Sequence, residues 1–128
     1  MDKTTNKTIL IVEDEEDVTD YLDTLFEDYG YNVITANNAS SGFERAKVEQ
    51  PDLISLDISM PGESGVRLFS NLCESPETKN IPVVIVTGFS SEFKEFFDKL
   101  EQSESPAGYF EKPIDRDALL NKIEEIIG

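Results

Sequence analysis

Histidine is absent from the 128 residues. That removes the commonest general base and any phosphohistidine role for this chain. Cys73 is the single cysteine, so no intrachain disulfide can form, in keeping with a reducing compartment. It falls in the helical apolar set Val66, Leu68, Phe69, Leu72 and Cys73 and reads as a small core hydrophobe rather than a reactive thiol. No apolar run approaches the ~18 to 20 residues of a membrane span. The first seven residues, MDKTTNK, are polar rather than a signal peptide, so the expected compartment is the cytoplasm. Basic residues are scarce, 11 against 27 acidic ones, for a net charge of -16. Such a surface repels phosphate backbones and anionic lipid and disfavours direct binding to nucleic acid or membrane. Solubility is its simplest purpose, with steering toward a basic partner as the alternative.

What is present is a regular alternation. Residues 8–12 (TILIV), 53–56 (LISL) and 82–86 (PVVIV) are near-continuous apolar runs, the mark of strands buried on both faces. Residues 31–35 and the short run 108–110 read as two further strands. Between them lie amphipathic stretches. Val18, Tyr21, Leu22, Leu25, Phe26 and Tyr29 recur at helical spacing and Gly30 closes that helix. A second helix spans about 40–50, with Asn38 or Ala39 near its start and Pro51 at its end. A third covers roughly 65–74. Phe89, Phe93, Phe96, Phe97 and Leu100 line a fourth, and Leu119, Leu120, Ile123, Ile126 and Ile127 a last one capped at or beside Asp115. With 128 residues and no hairpin signals, repeats or linkers, the chain is expected to be one domain over 1–128 with no output domain. The fold class is α/β: a doubly wound (βα)5 sandwich around a five-stranded parallel sheet with right-handed crossovers.

In such a sheet the ligand site lies beyond the carboxyl ends of the strands, where the winding reverses. Glu13 and Asp14 follow the first strand, Asp57 the third, Thr87 ends the fourth and Lys112 follows the fifth. A strand order of 2-1-3-4-5 would make the first and third strands neighbours and bring the three carboxylates into one small volume. Crowded carboxylates repel, and a hard divalent cation relieves them. Magnesium fits best, because it takes one or two carboxylates and leaves positions for phosphate oxygens; manganese is a possible substitute. Asp14 and Asp57 are expected as direct ligands, Glu13 through water, and the Ser59 backbone carbonyl as a third protein oxygen. A carboxylate beside a metal, facing the Lys112 ammonium and the Thr87 hydroxyl, is equipment for phosphoryl transfer to Asp57.

The ordered segments IVEDEED, DISMPGESG, VTG and YFEKP resemble the receiver domain of two-component response regulators, the CheY-like (flavodoxin-like) fold, over about Thr8 to Gly128. The resemblance implies Asp57 as phosphoacceptor, Glu13 and Asp14 as the acidic pair serving the metal, and Lys112 as the phosphate-binding lysine. It also implies Thr87 and Tyr109 as switch residues and a cis bond before Pro113. A signalling module is implied rather than an enzyme with a separate substrate. It would be charged by a histidine kinase or a histidine phosphotransfer protein and read by a downstream protein through the fourth helix, fifth strand and fifth helix. The expected state is a monomer or a weak phosphorylation-dependent dimer. The sequence departs from the family pattern in a somewhat long stretch over 89–108 and in Phe89, two residues past Thr87, which could screen water and slow the loss of the phosphoryl group.

Two other functions fit the architecture. A magnesium-dependent phosphohydrolase could use Asp57 as a transient nucleophile, but position 59 is serine rather than a second acid. A flavin-binding module would need a phosphate-cradling loop after the first strand, where the acidic run Glu13 to Asp17 would repel phosphate instead.

Overall fold

In the computed structural model, residues 6–60, 64–88 and 106–128 are described, with Ser64 and Thr87 described by their backbone alone. The expected helix over 89–100, with Phe89 and the other phenylalanines on it, lies outside the described residues. Five strands, β1 (Thr8–Val12), β2 (Asn32–Ala36), β3 (Leu53–Leu56), β4 (Val83–Thr87) and β5 (Gly108–Glu111), form one sheet in the order β2-β1-β3-β4-β5, with every pairing parallel. Among the described residues four helices accompany it: α1 (Glu16–Asp28), α2 (Ala39–Glu49), α3 (Ser64–Glu74) and, last in the chain, α4 (Arg116–Ile127).

The continuous apolar runs take the middle of the sheet because only there are both faces covered. Successive side chains point to opposite faces. Ile9, Ile11, Leu53, Val84 and Val86 therefore pack under α1 (Leu22, Leu25, Phe26) and α4 (Leu119, Leu120, Ile123). Leu10, Val12, Ile54, Leu56, Val83 and Ile85 pack on the other face against Ala46 of α2 and Leu68, Phe69 and Leu72 of α3. The outer strands are more open: β2 buries only Ala36 fully and β5 none of its residues. Cys73 is half-buried beside the second cluster, as a core-lining hydrophobe would be.

Local chemistry sets the helix ends. Asn38 Oδ1 accepts from the Ser41 N–H at 2.8 Å and Asp115 Oδ1 from the Ala118 N–H at 3.1 Å, each closing an otherwise orphan donor. Gly30, at φ 90°, turns the chain out of α1 in the left-handed region that glycine enters without strain. Pro51 follows Gln50, which takes the left-handed cap of α2 at φ 49°. Tyr31, expected in the second strand, precedes it but remains buried at 8% exposure in the α1-side core.

Two features of this framework place the site. Val12 pairs with Leu56, so Glu13 and Asp57 leave adjacent strands side by side, and the Asp57 N–H still donates to the Val12 carbonyl at 3.0 Å. At the start of α3, a Cβ on Gly65 would lie 2.4 Å from Ile58 Cα and 2.7 Å from the Asp57 carbonyl oxygen. Only glycine lets the helix come this close to the backbone that carries Asp57.

Candidate functional site

Three strand ends deliver charged side chains to the carboxyl edge of the sheet. Asp57 and Glu13 are each only 2% exposed, whereas Asp14 lies open to solvent. Each of the three offers one carboxylate oxygen, and these oxygens lie within 4.8 Å of one another. From beyond β5, the Lys112 side chain reaches back to them. Its Nζ lies 3.3 Å from Glu13 Oε1, 3.3 Å from Glu15 Oε1 and 3.6 Å from Asp57 Oδ2.

The two oxygens of Asp57 have different surroundings. Oδ1 accepts from both the N–H of Ser59, at 2.8 Å, and its hydroxyl, at 2.5 Å. Oδ2 instead faces the ammonium. Glu13 is similarly divided: Oε1 faces Lys112, and Oε2 accepts the Glu15 N–H at 3.1 Å.

Electrostatics records the crowding. Burial, a hydrogen bond with Asp57 and the Asp57 charge push the Glu13 carboxyl up to about 8, against the opposing pull of the Glu15 N–H and the Lys112 ammonium. For Lys112, burial works against the charged form. The charges of Asp57 and Glu13 and the hydrogen bonds to Glu15 and Glu13 outweigh it and hold the ammonium above its ordinary value. The donor set is all oxygen, negatively charged and under mutual repulsion that a single lysine only partly relieves. Those properties fit a hard divalent cation such as magnesium.

The remaining expected residues sit as follows. Thr87 ends β4, opposite Glu111 of β5, and its hydroxyl lies outside the described atoms. Tyr109 is 38% exposed on β5, and burial, then the Glu111 charge, raises its phenol. The Lys112–Pro113 bond is cis. Ser59 meets Asp57 through its N–H and hydroxyl, contacts that its expected role as a backbone-carbonyl ligand did not include. Glu15 was also missed. Within an acidic run its proximity to helix α1 accounts for it, and nothing local signals a partner 97 residues away.

Similarity to known proteins converges on one family. The model for the response regulator receiver domain matches residues 9–124. PilH of Pseudomonas aeruginosa is 34% identical over 119 residues, 93% of this chain and 96% of that protein. The polar-differentiation response regulator DivK of Brucella anthropi is 32% identical over 122 residues, covering 95% and 97%. The solved CheY-like receiver domain protein from Methanospirillum hungatei JF-1 superposes with a TM-score of 0.81 at 28% identity, covering 94% of this chain and 93% of that one. No helix among the described residues is long and apolar enough to cross a membrane. A parallel sheet in 2-1-3-4-5 order, an acidic cluster at its switch point and a whole-chain sequence match all lead to the same assignment: this chain belongs to the response regulator receiver domain family, the phosphorylation-activated signalling switches.

Proposed function

We propose that residues 1–128 act as one receiver unit in which Asp57 is the phosphoacceptor, charged by the phosphohistidine of a histidine kinase or histidine phosphotransfer protein in the cytoplasm. The donor histidine lies outside these 128 residues, which contain none. What supports Asp57 is the asymmetry of its carboxylate. Oδ1 is occupied by the two Ser59 donors, while Oδ2 faces the Lys112 ammonium at 3.6 Å. Oδ2 is therefore the attacking oxygen. It forms the new P–O bond as the P–N bond to the donor imidazole breaks, and the product is an acyl phosphate. Lys112 is placed to hold a phosphoryl oxygen, and Ser59 fixes the rotation of the carboxylate so that Oδ2 points outward.

Glu13, Asp14 and Asp57, with the Ser59 backbone carbonyl, are the residues that would hold a magnesium ion. Bound there, the ion supplies neutralisation of charge on the phosphoryl oxygens. The Thr87 hydroxyl is the switch group that turns toward the phosphoryl oxygens, and Tyr109 follows by moving its ring inward. The half-exposed ring and the open β5 strand support this reading. Phosphorylation then shifts a pre-existing equilibrium of the surface around β5 and α4, which a downstream protein reads.

The test is to incubate the chain with magnesium and acetyl phosphate and follow intact mass. One phosphoryl group is expected on the wild type and none on Asp57→Asn. Equal labelling of the two would overturn the assignment.

A further inference from the structure

Lys112 is shared among three carboxylates, and one of them has no part in the mechanism above. Glu15 is the N-cap residue of α1, yet its side chain makes no capping hydrogen bond. A carboxylate at that position ordinarily accepts an N–H of the first helical turn. Here it crosses the fold to Lys112 instead, at 3.3 Å, and does so while 64% exposed. Its backbone is tied into the same cluster, because the Glu15 N–H donates to Glu13 Oε2. Glu13, Glu15 and Lys112 thus form a closed ring beside Asp57. An ammonium has three donors and no more. Glu13 and Glu15 accept two of them, whereas Asp57 Oδ2 lies at ion-pair distance only, 3.6 Å away, so a phosphoryl oxygen on Asp57 competes with the two glutamates for the ammonium.

We propose that Glu15 is a latch: a positioning residue that draws the Lys112 ammonium to itself in the resting state and competes for it with a phosphoryl group arriving on Asp57. This inference rests on the reading of Asp57 as acceptor and Lys112 as phosphoryl ligand. Glu15 is the carboxylate that yields. Glu13 is buried and bound at both oxygens, and Asp57 carries the group itself, whereas Glu15 can swing into water at little cost. The latch therefore weakens the phosphorylated state relative to the resting one.

The test measures the affinity of the magnesium-loaded protein for beryllofluoride by calorimetry in wild type, Glu15→Gln, Glu15→Ser and Glu16→Gln. Glu15→Gln removes the latch charge. Glu15→Ser removes it while supplying a good cap, which separates the latch from helix stability. Glu16→Gln removes an equal charge from the next residue, also exposed, and controls for general electrostatics. Both Glu15 variants are expected to bind about two- to five-fold more tightly than wild type, the range of an exposed ion pair, with Glu16→Gln changed by less than about 1.5-fold. Unchanged or weaker binding in the Glu15 variants, or an equal gain in Glu16→Gln, would overturn the latch. If wild type itself bound no beryllofluoride, the failure would belong to the phosphoacceptor reading instead.

Discussion

Strand β3 carries an aspartate just outside each end, and the two have opposite surroundings. At the amino edge, Asp52 and Thr8 exchange a pair of hydrogen bonds. The Thr8 N–H donates to Asp52 Oδ2 at 2.7 Å and the Asp52 N–H to the Thr8 carbonyl at 2.8 Å. That carboxylate is half-buried, takes a neutral backbone donor and closes the start of β1. At the carboxyl edge, Asp57 is almost wholly buried and has a carboxylic neighbour in Glu13, with the Lys112 charge as counterweight. One aspartate completes a hydrogen-bond ladder; the other sustains a local conflict of charge. A carboxylate that merely holds structure is satisfied by what surrounds it, whereas one kept for chemistry is left with an unmet demand.

The largest expected effect separates the two ends outright. Asp57→Asn should abolish phosphoryl acceptance, by more than about 10³-fold, since an amide oxygen cannot replace the nucleophile. Asp52→Asn should accept the group at the wild-type rate. Radiolabelled transfer from acetyl phosphate or a phosphorylated kinase reads both, and any marked loss in Asp52→Asn would break the contrast. Next in size is Gly65→Ala, which drives a methyl group into the backbone of Asp57 and Ile58. It should cost about 2–3 kcal/mol in denaturant unfolding and impair magnesium binding, because the displaced backbone carries Asp57.

A smaller effect lies in pH dependence. In the metal-free protein Glu13 stays protonated up to about 8, against an ordinary value of 4.5. Between those limits the folded chain holds a proton that the unfolded chain has lost, so stability falls as pH rises through that window. Below 4.5 the contribution is fully present, and above about 8 it is gone. Lys112 is raised from 10.5 and stays charged across the same window. Thermal melts in chelator at pH 5 and pH 8 should therefore show a decline that Glu13→Gln flattens. At pH 8 that variant should melt higher than wild type by a few degrees, on the order of 1–2 kcal/mol. Magnesium should stabilise the wild type at pH 8 more than Glu13→Gln. A flat wild-type profile would show that Glu13 ionises freely and that the crowding at this edge is relieved.

How much of this was legible in the sequence differs along the same axis. The strands and their order could be anticipated, because buried parallel strands must be apolar at every position and the alternation with helices leaves few topologies. The gathering of Glu13, Asp14, Asp57 and Lys112 at one edge followed from their places after strands. The allocation within the cluster was not legible. Nothing in a run of five acids says that Glu13 is buried while Asp14 is exposed, or that Glu15 reaches Lys112, since that depends on the direction in which the chain leaves β1. Gly65 read only as the approximate start of the third helix. Its need for a missing side chain comes from the backbone of Ile58, a contact made only once α3 folds back on the end of β3. Thr87 and the Phe89-bearing stretch are the parts of the expected switch whose side chains the structure does not describe.

The mildest prediction concerns Asp52. Among the described residues it has no ion pair to rearrange, so its loss should register only as an unmet donor. Asp52→Ala leaves the Thr8 N–H without its acceptor at an edge that water can reach, so replacement by solvent offsets part of the loss. A destabilisation of about 0.5–1.5 kcal/mol is expected, independent of magnesium and with phosphoryl acceptance intact. Asp52→Asn should recover most of it, because an amide oxygen accepts the same hydrogen bond. If Asp52→Ala instead weakened magnesium binding, the two ends of β3 would be coupled through the strand, and the separation of a structural from a chemical aspartate would fail. The register between β1 and β3 argues against such coupling: four paired residues from Ile9 to Val12 lie between the two edges, and a lost contact at Thr8 can fray without displacing Val12.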